Sequence, residues 1–121
     1  MALLSRDAIL KADDLKYEDV EVPEWGGTVR IQALSGAARD KLEASVVEQK
    51  GNKVKQNLTN FRAKLVAASA IDEKGNQLFS EKDIHLLSEK SAGALDRVAA
   101  VASRLAGMSP GDVEELTEVF D

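Results

Sequence analysis

The chain has 121 residues, the length of one ordinary domain, with 44% apolar and 31% charged residues, a net charge of −5 and no cysteine. The missing thiols exclude disulfide frameworks, zinc–thiolate sites, iron–sulfur clusters and cysteine nucleophiles. The acidic balance, with charges of both signs interspersed, argues against a grip on nucleic-acid phosphates, and no apolar run approaches the roughly 20 residues that cross a bilayer.

Aromatic residues are only 4% of the chain, so the core is expected to be aliphatic. Ser5 to Ala12 reads as a short helix with Ser5 as N-cap and Ala8, Ile9 and Ala12 on an apolar side. The N-terminus turns charged at once and does not read as a secretory signal, which points to the cytoplasm. Tyr17 to Val22 alternates, apart from the pair Glu18-Asp19, as a strand with one buried face does. Pro23-Glu24-Trp25-Gly26-Gly27 is a turn, because proline cannot donate to a ladder and glycine permits positive φ. Thr28 to Ala33 alternates again, with Val29, Ile31 and Ala33 on one face, so the two segments predict a β-hairpin over about 16–33.

At Ser35, a plausible N-cap, the period changes. Ala38, Leu42 and Val46 recur at four-residue steps on a helix expected to stop near Lys50-Gly51-Asn52. A second helix is expected from about Val54 to Ala70, on an amphipathic stripe of Val54, Leu58, Phe61, Leu65 and Ala68. Asp72 to Asn76 is a polar turn, and Gln77-Leu78-Phe79 reads as a brief extension. Ser80 and Asp83 form a capping-box variant ahead of a short helix with Ile84 and Leu87. Ser91 precedes a helix lined by Leu95, Val98, Ala102 and Leu105, closed by Gly107. Ser109-Pro110 then opens a last helix lined by Val113, Leu116 and Phe120. The order predicts a single α+β domain over 1–121, with an N-terminal β-hairpin packed on a bundle of about five short helices at 35–120. A lone hairpin is marginal, so it must pack on helices or pair with another chain.

Nothing in this pattern builds a catalytic, metal or cofactor site. His85 is the only histidine and has no orienting partner nearby in sequence, so a surface or packing role outweighs a general base. Asp72-Glu73-Lys74-Gly75 fails as a calcium loop, because Lys74 stands at a ligand position and Gly75 comes two places early. Gly26-Gly27 has no phosphate-loop spacing. Lys50, Lys53 and Lys55 flank Gly51-Asn52 and read as a solvated loop rather than a nucleic-acid patch. Two features suit partner binding instead. Trp25, at the hairpin turn, can anchor a partner, although packing on its own core is the commoner role of a single tryptophan. Val113, Leu116, Val119 and Phe120 form an apolar strip beside Glu114, Glu115 and Glu118. That strip can either seal the core or face a partner's groove or a neighbouring subunit.

The stretch Val20-Glu-Val-Pro-Glu-Trp-Gly-Gly-Thr-Val-Arg-Ile-Gln-Ala-Leu-Ser35 resembles the start of the tail assembly chaperones of long-tailed bacteriophages and prophages. Leu-Val-Ala-Ala-Ser from Leu65, then Asp72-Glu-Lys-Gly-Asn-Gln-Leu-Phe-Ser80, Asp83-Ile84 and Leu87 extend the likeness, which spans Tyr17 to Ser109. The resemblance implies a non-catalytic, cofactor-free protein of the host cytoplasm. It would coat the tape measure protein until tail tube subunits polymerise around it, and be absent from the finished virion. Family members are often made in two forms through a frameshift. The competing readings are a head–tail connector or tail terminator subunit, which would form a stable ring, an adaptor domain without a phage role and, least supported, an enzyme.

Overall fold

The structure, a computed structural model, describes residues 2–56 and 59–108. The expected last helix, with Val113, Leu116, Val119 and Phe120, lies outside the described residues, as does Leu58. The architecture is α+β: an N-terminal antiparallel hairpin, extended to three strands, packed on helices.

Helix α1 (Arg6–Lys11) is capped as expected, with the Ser5 hydroxyl accepting from the Ala8 N–H at 3.1 Å. Strands β1 (Tyr17–Val22) and β2 (Gly27–Gln32) pair from Tyr17 opposite Gln32 to Val22 opposite Gly27. The register points Val20, Val22 and Ile31 into the core. Between the strands, Pro23–Trp25 makes one 3-10 turn, and Gly26 takes φ +76° to start the return strand. A side chain in that left-handed conformation costs about 1–2 kcal/mol. Gly26→Ala is therefore expected to lower unfolding free energy by about that much in urea titrations.

Ser35 caps α2 (Gly36–Ser45), its hydroxyl accepting from the Ala38 N–H at 3.1 Å. Here the first expectation is corrected. The helix stops at Ser45, and β3 (Val47–Lys50) and β4 (Lys53–Gln56) form a second antiparallel hairpin. Gly51-Asn52 does not end a helix. With Gly51 at φ +64° it is the two-residue loop of that hairpin, for which a left-handed first position is suited. The expected helix from Val54 to Ala70 shortens to α3 (Phe61–Ser69), with Val54 in β4 and Ala70 in a strand. The reason is strand pairing, which takes Val54 into the second hairpin and Ala70 onto β2. Phe61, Ala63, Leu65, Val66, Ala67 and Ser69 are all buried, so α3 is enclosed on most sides rather than amphipathic. Val54 matches the stripe by spacing alone.

Strand β5 (Ala70–Ile71) joins the outer side of β2, giving the sheet order β1-β2-β5. The polar turn that follows is closed by Asp72, whose carboxylate accepts from the N–H groups of Lys74 and Asn76 at 2.8 and 2.9 Å. Gln77 returns as a bridge opposite Ile71. The Ser80–Asp83 capping box is present and leads into α4 (Ile84–Ser88). Ser91 caps α5 (Ala92–Leu105), whose inner face is Leu95, Val98 and Ala102. Gly107 closes α5 with φ +77°, and the Met108 N–H donates to the Ser103 carbonyl at 2.9 Å.

Helices α3 and α5 pack on one another, and α5 also lies against β1 and β2. The core is mainly aliphatic with Phe61 in it, drawn chiefly from β1, β2, α3 and α5 and completed by Leu42, Val46 and Leu87, with Trp25, Val29, Phe79 and Leu105 around its margin. Ser69 is a defect in that core. It is fully enclosed, and its hydroxyl meets no hydrogen-bond partner. Removing an unpaired buried hydroxyl relieves its desolvation penalty. Ser69→Ala is expected to raise unfolding free energy by about 1 kcal/mol, read from the urea midpoint.

Candidate partner-binding surface

An open groove of about 1050 Å³ runs between α3 and α5. Its floor is apolar, formed by Phe61, Leu65, Leu95, Ala99 and Met108, each less than a tenth exposed, and Ala92 and Ala100 stand exposed along the α5 wall. The alanines of α5 keep that wall low, and a low wall lets another helix approach closely. Arg62, Lys90, Asp96 and Arg104 stand around the rim. Arg62 pairs with Asp96 across it, and Arg104 pairs with Glu18 on β1. These pairs are exposed and contribute little to stability. They orient the rim.

A second groove of about 1020 Å³ lies between α2, α3 and residues 77–84, with Lys41, Lys64 and Lys82 among its lining. It is less coherent as an apolar seat. Lys41 is paired with Glu81 at 3.1 Å, and the Lys64 ammonium donates to the Ser45 carbonyl at 3.1 Å across one end.

The hairpin that carries Trp25 is tied to α5. Arg97 donates to both carboxylate oxygens of Glu24, at 2.8 and 3.0 Å, across 73 residues of sequence. This pair holds Trp25 partly buried against the core, and its indole N–H is buried without an acceptor. On the outer face of the sheet Arg30 donates to Asp19 at 2.8 and 3.2 Å and lies 4.2 Å from the centre of the Tyr17 ring. The structure thus keeps Trp25 away from the groove that the helices form. Sequence reading missed the groove because its walls lie about 30 residues apart, and neither helix marks its partner.

Three carboxyls are held below their ordinary range. Arg30 does this to Asp19 and Arg97 to Glu24, each chiefly through side-chain hydrogen bonds, while Asp72 is held chiefly by the backbone N–H of Asn76. A depressed folded-state pKa means that the native state binds fewer protons than the unfolded chain. The stabilisation is then complete above the unfolded values, near pH 4, and disappears as pH falls through the lower folded ones. Urea midpoints measured from pH 7 downward should accordingly decline below about pH 4, and Asp72→Asn should flatten part of that decline.

His85 is exposed on α4, away from both grooves. Among the described residues no group of three histidines or carboxylates is placed to hold a metal ion, and no helix is long and apolar enough to cross a membrane.

No curated protein and no solved structure matches the chain. The family model described as phage tail assembly chaperone matches residues 5–118, from the N-cap of α1 through both hairpins, α3, α5 and the groove between them. That match covers nearly the whole chain, which therefore belongs to the phage tail assembly chaperone family.

Proposed function

We propose that this chaperone binds the tape measure protein of its phage in the host cytoplasm, keeps it soluble while the tail is assembled, and is released before the virion is complete. The observation that carries this reading is the family match over residues 5–118. The groove between α3 and α5 supplies a suitable surface. A tape measure is long and helical, and its apolar seams are exposed before the tube forms around it. One turn of such a seam fits a shallow apolar groove walled by two helices, in the helix-in-groove mode.

Val113, Leu116, Val119 and Phe120, further along the chain than Met108, are the other apolar residues offered to the client in this reading. Trp25 contributes in this reading only through the part of its ring that its own core leaves uncovered. The net charge of −5 keeps the coated complex soluble. Many copies on one long client act multivalently, so each contact can be weak enough for arriving tube subunits to displace. The role is non-catalytic.

Co-expression with the long tail gene product of the same locus tests the reading. The expected result is co-purification and a soluble tape measure. If the two folded proteins ignore each other, the reading fails. A ring of fixed stoichiometry in mature particles would then favour a connector or tail terminator subunit.

A further inference from the structure

Helix α5 delivers the chain to the α3–α5 groove. Gly107 takes φ +77°, and the Met108 N–H donates to the Ser103 carbonyl at 2.9 Å, which closes the last turn and stops the helix there. Met108 is 6% exposed and is itself part of the groove lining. Residue 109 therefore follows directly from one end of the groove.

The segment that follows fits the groove in pattern, length and charge. Ser109-Pro110 is a helix start by sequence, and Val113, Leu116 and Phe120 share one helical face at i, i+3 and i+7. A helix over 110–121 is about 18 Å long, against about 21 Å for α5 with its 14 residues. The exposed alanines at 92 and 100 leave the α5 wall low enough for a helix to lie along it. The segment carries Asp112, Glu114, Glu115, Glu118 and Asp121 and no basic residue. The groove lining offers Arg62, Lys90 and Arg104 against the carboxylate of Asp96, on a chain whose net charge is −5. Lys90 forms no salt bridge with a described residue. The pairs that Arg62 and Arg104 make are exposed and exchange at little cost.

We propose that residues 109–121 fold back as a helix into the α3–α5 groove of their own chain and cover it until a client helix displaces them. The segment starts at the Met108 end, so it runs antiparallel to α5. Leu116 then lies beside Ala100, Phe120 reaches Ala92 and Leu95, and Glu118 and Asp121 come to Lys90. The free chaperone hides both of its apolar surfaces at once, and the client releases both together. This regulates the client site named above, and it rests on that reading only for what displaces the segment.

The full chain tests it without a client. It has no native cysteine, so Ala100→Cys reports cover of the groove through its rate of modification by a small thiol reagent. Adding Leu116→Asp and Phe120→Asp should speed that modification at least tenfold, with the fluorescence of the single tryptophan unchanged. Ala100→Cys combined with Leu116→Cys should close a disulfide within the monomer under mild oxidation. Ala100→Cys combined with Glu118→Cys, on the opposite face of the helix, should not. Three results would overturn the proposal: equal modification rates with and without the aspartates, bridges that form equally well from positions 116 and 118, or a bridge that forms only between two chains. Capture of the tape measure by the bridged chain would leave the cover standing and sink the groove as the client's seat.

Discussion

Leu65→Ala will lower the free energy of unfolding by about 2–5 kcal/mol, the range for truncating a buried leucine where the surroundings cannot collapse. Leu65 is 1% exposed and sits in the middle of α3, the helix enclosed by sheet, α5 and α4. Its neighbours on the same helix, Val66 and Ala67, are also buried, and the sheet behind them is pinned by the paired register of β1, β2 and β5. A fold of this size is held by only about 5–15 kcal/mol in total, so the loss should be large in a urea titration and visible as a lowered melting temperature. A change below about 1 kcal/mol would mean that α3 is less enclosed than its burial indicates.

If the α3–α5 groove seats the tape measure as proposed, Ala100→Asp should weaken its capture while leaving the chaperone folded. Ala100 is exposed on α5 and lines the groove, so the isolated protein gains only a solvated carboxylate. In a complex that carboxylate would lie against the apolar face of the client helix without a partner. An unpaired charge at the centre of an interface typically weakens binding by about 2 kcal/mol or more, roughly thirtyfold. Matched urea midpoints for variant and native chain, with tape measure recovered only by the native chain in parallel pull-downs, is the expected pair of results. Undiminished capture by Ala100→Asp would move the binding surface elsewhere, to the strip at Val113, Leu116, Val119 and Phe120 or to Trp25.

Features written into a few neighbouring residues were legible without the structure. Alternation and the Pro23–Gly27 punctuation gave the first hairpin to within a residue, because a strand's period and a turn's glycine are both local requirements. Ser5, Ser35, Ser80 with Asp83, and Ser91 gave the helix starts, since a cap acts within three residues of itself. The family resemblance rested on the same segments.

Other features needed the folded chain. Gly51-Asn52 suits both a helix end and a hairpin loop, and only the pairing of Val47–Lys50 with Lys53–Gln56 separates the two. Val54 fits a helical stripe by spacing, yet the helix begins seven residues later, after Asn60. The two-residue strand β5 has too little pattern to be seen and exists because β2 offers it a free edge. Arg97 finds Glu24 across 73 residues and Arg104 finds Glu18 across 86, and these contacts set the hairpin on α5. The groove belongs to this second class. Sequence determined which residues of α3 and α5 are apolar. Only the packing of the two helices decided which of those would be covered and which left open to a partner, because burial depends on what lies opposite, and no residue carries that in its own neighbourhood.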